Sequence, residues 1–191
     1  MDISFRPGVP ADVRYLKNTW LHAFRDGEGV RDIPNGIYWD YEDKVLQVII
    51  PRCSNAKGVL VAYPTQPPDT DWHTIVEAPI LGYIVCEPMV DALLVHMTYV
   101  RGHQKKGKKT GQQCRRQGIG SALLAEAQRK FHLEGAPIRY TYRTDMCWRE
   151  YGFRQKLKEL GATYVFYPKF SLLPGGCAQC QTPSWETGAV Q

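Results

Sequence analysis

Two apolar runs, residues 80–87 and 92–100, lie close together around the turn Pro88-Met89-Val90-Asp91, and they leave few architectures open. Each is too short to cross a membrane and has the length of a strand. The turn residues between them predict an antiparallel hairpin. A further strand is expected at 58–63, reached across a Pro/Asp-rich stretch, 64–79, that reads as an exposed, mobile loop. Residues 2–6, 138–143 and 162–166 complete the strand candidates. Helices are expected from Pro10-Ala11-Asp12, with Val13, Leu16, Trp20 and Phe24 at helical spacing, and over 41–51, with Val45, Val48 and Ile49 on one side. Gly27 and Gly29 separate the two. A third helix begins within 118–121, turns Ala122, Leu123, Ala127 and Phe131 inward, and stops at Gly135-Ala136-Pro137. A fourth spans 149–160, with Phe153, Leu157 and Leu160 on one face and Gly161 as its stop. The order β-α-α-β-β-β-α-β-α-β predicts an α/β domain around one mixed sheet.

A chain of 191 residues with 43% hydrophobic content supports one such domain. It is expected over residues 1–173, followed by a loosely ordered tail over 174–191. No internal repeat interrupts it. The opening Met1-Asp2-Ile3-Ser4-Phe5-Arg6-Pro7 lacks the basic and apolar regions of a signal peptide, so a cytoplasmic protein is expected. The six cysteines then read as reduced thiols. Cys177 and Cys180 form a lone C-x-x-C without the second pair of ligands that zinc needs, and no metal is expected.

The chemistry concentrates where the strand at 94–100 leads, through Arg115-Arg116-Gln117-Gly118-Ile119-Gly120, into a helix. The first N–H groups of a helix have no internal acceptor and carry partial positive charge, a suitable seat for phosphate. Gly118 and Gly120 permit close approach and positive φ, and Arg115 and Arg116 add charge. No Gly-Lys-Ser/Thr follows, which excludes a P-loop, and the third glycine of the dinucleotide fingerprint is absent.

Arg115-Arg116-Gln117-Gly118-Ile119-Gly120-Ser121-Ala122-Leu123-Leu124 resembles the pyrophosphate signature R/Q-x-x-G-x-G/A of the GNAT acyltransferases. Ile3-Ser4-Phe5-Arg6-Pro7 with Asp12 looks like the opening of that family, Ile80-Leu81-Gly82-Tyr83-Ile84-Val85 like its third strand, and Leu160-Gly161 like the end of its last helix. The resemblance covers about residues 2 to 168. It implies a mostly antiparallel mixed sheet, splayed where acetyl-CoA enters. The backbone of Gln117, Gly118, Ile119, Gly120 and Ser121, with Arg115 and Arg116, would hold the pyrophosphate. Main-chain groups of Thr98, Tyr99 and Val100 would hold the pantetheine arm. The implied reaction is direct attack of a neutral amine on the thioester, which calls for a base and an acid.

Two departures stand out. Where the family often carries a tyrosine acid, four residues before the closing glycine, this chain has Leu157, and Tyr151 and Tyr142 are the nearest substitutes. Glu87, His96 and Asp145 are the candidate bases, His96 because its pKa suits proton transfer at neutral pH. A histidine among apolar strand residues equally suits a structural role. The second departure is a long basic loop, 101–116, holding Arg101, His103, Lys105, Lys106, Lys108, Lys109, Arg115 and Arg116 within a chain of net charge +5. It reads as a solvated loop, a clamp for the CoA 3′-phosphate or a nucleic-acid contact. The aromatic stretch Tyr38-Trp39-Asp40-Tyr41 lies where the family shapes its acceptor site, and Trp39 there also reads as core. The leading expectation is amine acetylation by a monomer or homodimer. The alternatives are a DNA-base modification protein of the phage Mom type, or a non-catalytic nucleic-acid-binding module.

Overall fold

The computed structural model describes residues 2–25, 42–43, 45–102, 114, 117–141 and 157–164. Six strands form one sheet in chain order: β1 (Ile3–Pro7), β2 (Val59–Pro64), β3 (Gly82–Pro88), β4 (Leu93–Val100), β5 (Ile138–Tyr140) and β6 (Thr163–Tyr164). The first four pair antiparallel, and β5 and β6 join in parallel. The mixed, mostly antiparallel sheet read from the sequence is therefore observed. β2 and β3 are buried on both faces, which is why they appear in the sequence as nearly unbroken apolar runs.

Helices cover the two faces. On one, α1 (Val13–Arg25) and α2 (Ile50–Asn55) place Leu16, Trp20, Ile50 and Cys53 over Val59, Val61, Tyr83, Val85 and Met97. On the other, α4 (Ile119–Lys130) places Ile119, Leu123, Leu124 and Ala127 over Leu60, Ala62, Ile84, Cys86, Leu93 and Val95. Leu157 packs into this second cluster.

The entrance to α1 is fixed by a buried bidentate ion pair. Arg6 of β1 reaches Asp12 at 2.7 and 2.9 Å, while Asp12 also accepts the Val9 N–H at 2.9 Å. Neither charge is isolated, which is what makes burying both tolerable. A short helix turn, Pro10–Asp12, leads directly into α1.

Five expectations are corrected. The segment 64–79 is no plain loop, because Asp71 caps a helix, α3 (Trp72–Glu77), by accepting the Thr74 N–H. The second helix does not stop at Pro51: a π-turn, Val45–Ile49, precedes α2, so the missing proline N–H falls near a helix start where it costs little. That wider turn leaves Val48 exposed and puts Val45, Ile49 and Ile50 inside. In α4, Leu124 rather than Ala122 joins the core, and Leu160 is exposed rather than sharing the face of Leu157. Gly161, at φ +65°, ends its helix as expected. The separators Gly27 and Gly29, the aromatic stretch 38–41, most of the basic loop and the tail lie outside the described residues.

Candidate active site

β4 contains the organising irregularity. Val85 of β3 faces Met97, but the next residue, Cys86, faces Val95, so His96 is an extra residue in its strand. A bulge of this kind reverses the inside–outside alternation beyond it. Before His96, Leu93 and Val95 pack under α4; after it, Met97 and Tyr99 pack under α1, and Val100 turns back toward the α4 cluster.

β5 follows β4 only along the first half. Its register pairs Leu93, Leu94 and Val95 with Ile138, Arg139 and Tyr140, and the Thr141 N–H closes it on the Val95 carbonyl at 3.0 Å. From Met97 to Val100 the strand partner of β4 among the described residues is β3 alone. Thr98 lies in this half, with its Oγ1 buried and without a hydrogen-bond partner among the described residues.

The first turn of α4 stands at the same end. Ile119 and Leu123 lie against Gly82, which pairs with Val100, and a Cβ at position 82 would sit 3.3 Å from Ile119 and 2.7 Å from the Tyr99 carbonyl. Glycine is needed there for close approach. Gly118 caps α4 at φ +78° with no side-chain cap and open space where a Cβ would go. The first intrahelical bond runs from the Ala122 N–H to the Gly118 carbonyl at 2.9 Å, so the amides of Ile119, Gly120 and Ser121 precede the helical ladder. Gly118 thus has the positive φ read from the sequence, whereas Gly120 is an ordinary buried helical residue. Gln117 lies in the bend before the helix.

Glu87 and His96, predicted separately, meet. Glu87 Oε1 lies 2.9 Å from His96 Nε2 and 2.6 Å from Arg52 Nη2 of α2. On the far side of the ring, Nδ1 lies 3.2 Å from Thr141 Oγ1. His96 is 1% exposed, and burial pushes its pKa down despite the opposing carboxylate of Glu87. A neutral ring beside a carboxylate carries its proton on Nε2, leaving Nδ1 to accept from the Thr141 hydroxyl. For Glu87, burial works to raise the pKa, but the hydrogen bonds and charges of His96 and Arg52 outweigh it and hold the carboxyl below its usual range.

A second polar group flanks the second half of β4 on the α1 side. Tyr83 and Tyr99 stack with centroids 5.4 Å apart, and Tyr15 meets both edge-on at 6.4 and 6.3 Å. The Tyr83 hydroxyl donates to the Leu16 carbonyl at 3.1 Å. Burial and then the neighbouring Tyr99 push the Tyr15 pKa up to about 12, so it remains a phenol at neutral pH.

Tyr151, Tyr142, Asp145, Arg115 and Arg116 lie outside the described residues, as does the basic loop apart from Arg101, Gly102 and Cys114. The sequence reading missed Arg52, Thr141 and the tyrosines at 15 and 83. Gly82, inside an apolar run, was the visible sign of a close approach; Arg52 left no sign, being 35 residues from its partner.

The fold is similar to that of a solved structure, PaiA N-acetyltransferase from Thermoplasma acidophilum in complex with coenzyme A. The likeness has a TM-score of 0.53 at 14% identity and covers 82% of this chain and 88% of that one. The fold is GNAT-like. No protein-family model and no curated protein matches the sequence. Among the described residues of this GNAT-like domain, no helix is long and apolar enough to cross a membrane.

Proposed function

We propose that the chain is an N-acyltransferase that takes an acetyl group from acetyl-CoA and delivers it to an amine by direct attack. The observation that carries this reading is the start of α4 beside the end of β4, where Gly118 has a left-handed φ, no side-chain cap and open space where a Cβ would go. The neighbour's complex with coenzyme A supports it. So do the residues themselves: a buried Thr98 hydroxyl lacking a partner among the described residues suits an amide-bearing arm, and the open space over Gly118 suits a diphosphate.

In this reading acetyl-CoA supplies an activated thioester. Gln117, Gly118, Ile119, Gly120 and Ser121 hold its diphosphate through backbone N–H groups, with Arg115 and Arg116 adding charge. Thr98, Tyr99 and Val100 hold the arm along the second half of β4. Glu87 and His96 belong to the proton-accepting side, and Tyr151 is proposed as the acid. The Leu157 side chain is buried in the core, so it leaves that role to another residue. Domain limits of 1–173 and a separate tail from 174 belong to the same proposal.

Calorimetry and thermal unfolding with acetyl-CoA test it. The expected result is saturable binding and a raised midpoint, as for any ligand that binds only the folded state. Absence of both would remove the reading. The Lys/Arg density of 101–116 supports a second acceptor class, a base amine on nucleic acid. Binding of duplex DNA that weakens steeply with salt, and is lost when Lys105, Lys106, Lys108 and Lys109 are neutralised, would favour it.

A further inference from the structure

Thr141, His96, Glu87 and Arg52 form a continuous hydrogen-bonded line that begins just after β5 and ends on α2. Thr141 Oγ1 lies 3.2 Å from His96 Nδ1 and Glu87 Oε1 lies 2.9 Å from His96 Nε2, with Arg52 closing the line at 2.6 Å. A hydroxyl, a ring that accepts from it, and a carboxylate that orients the ring make the arrangement used to activate a weakly acidic O–H.

The ends of this line differ in access. His96 is sealed, whereas Thr141 is partly exposed and is the first residue beyond the register of β5. An amine cannot reach the ring directly, but it can reach the hydroxyl. We propose that Thr141 is the outer member of a proton relay: its Oγ takes the proton of the attacking amine as it passes its own proton to His96 Nδ1.

This proposal rests on the acyltransferase reading. The balance closes within that reaction. The amine nitrogen forms the amide bond to the acyl carbon, and its surplus proton moves to Thr141 Oγ while the threonine proton moves to His96. The acyl carbon–sulfur bond breaks, and the thiolate takes a proton from Tyr151. His96 then returns its proton to solvent through Thr141, and Tyr151 recovers one from solvent. Glu87 and Arg52 are positioning residues: the carboxylate stabilises the imidazolium during transfer, and the guanidinium keeps the carboxylate ionised. The charged and titratable groups around the ring among the described residues are Glu87 from β3 and Arg52 from α2, with the Cys53 thiol close to both.

The test combines a ligand-free readout with kinetics. In protein labelled with ¹⁵N-histidine, His96 is expected to show a protonated Nε2 and an unprotonated Nδ1 at neutral pH. Thr141→Val should move the Nδ1 resonance, and Thr141→Ser should restore it. Thiol release from acetyl-CoA with butylamine as acceptor should fall roughly 10²-fold in kcat for Thr141→Val, with KM for acetyl-CoA unchanged and activity largely recovered in Thr141→Ser. A Thr141→Val protein with wild-type kcat overturns the relay. So does a proton on Nδ1 in the wild type, an equal loss in Val and Ser variants, or wild-type protein that binds acetyl-CoA but releases no thiol. Failure of the wild type to bind acetyl-CoA in calorimetry would instead sink the acyltransferase reading, and the two failures are told apart by that measurement.

Discussion

The two halves of β4 are alike in sequence and opposite in circumstance. Leu93, Leu94 and Val95 have strands on both sides and are fully enclosed; Thr98, Tyr99 and Val100 have a strand partner on one side among the described residues and are partly exposed. One extra residue divides them. Had β4 run on in regular register, Thr98 would share a face with Leu94, and the face that carries α4 would continue through Met97 and Tyr99. The bulge at His96 instead turns Met97 and Tyr99 toward α1 and leaves Thr98, between them, on the side of α4. Strand chemistry is thus only half of a site. The register supplies the rest.

That contrast is open to attack at several points. The most damaging change is Glu87→Leu, which removes the carboxylate shared by Arg52 and His96. Urea unfolding should show a loss of roughly 2–3 kcal/mol, and β4 should lose its distinction between halves. Next comes Gly82→Ala, whose Cβ meets the Tyr99 carbonyl backbone and the first turn of α4. About 1–3 kcal/mol of destabilisation is expected, read by the same titration.

Acidification probes the dividing residue itself. His96 is held neutral in the folded chain, while the unfolded chain takes its proton below about pH 6.5. Stability should therefore fall as pH drops from there toward the lower folded pKa, with a slope approaching about 1.4 kcal/mol per pH unit. Glu87 acts in the same sense at lower pH, since a carboxyl with a depressed pKa stabilises the fold above its ordinary range and stops doing so as it protonates. His96→Gln should flatten the upper part of that slope, and an unchanged slope would mean that the ring is not sealed. Gly118→Val sharpens the comparison from the helix side. An L side chain at φ +78° costs about 1–2 kcal/mol, and acetyl-CoA should bind at least tenfold more weakly by calorimetry. The smallest effect belongs to Trp72→Ala on α3, a helix that buries none of its residues: less than about 0.5 kcal/mol and unchanged coenzyme binding.

Much of the fold was legible because short-range rules govern it. The hairpin of β3 and β4, the helical spacing of Leu16 and Trp20, and the stop at Gly161 each follow from periodicity or backbone freedom within a few residues. α3 was missed although Asp71 and Thr74 stood at capping distance, because prolines on either side argued more loudly for a loop. Val48 was misplaced because a π-turn advances the helix face, and nothing in an apolar count distinguishes that from an α-turn.

By itself the sequence determined a mixed α/β sheet, a glycine-bearing helix start after the fourth strand, and the identities of Glu87, His96 and Gly118 as residues of interest. Only the tertiary structure decided that Glu87 and His96 touch, that Arg52 and Thr141 complete their line, and that an extra residue in β4 sits at their centre. The physical reason is range. A capping glycine or an apolar period acts on its neighbours in the chain, whereas the contacts of Arg52 with Glu87 and of His96 with Thr141 join residues 35 and 45 apart, brought together by the burial of both faces of the sheet.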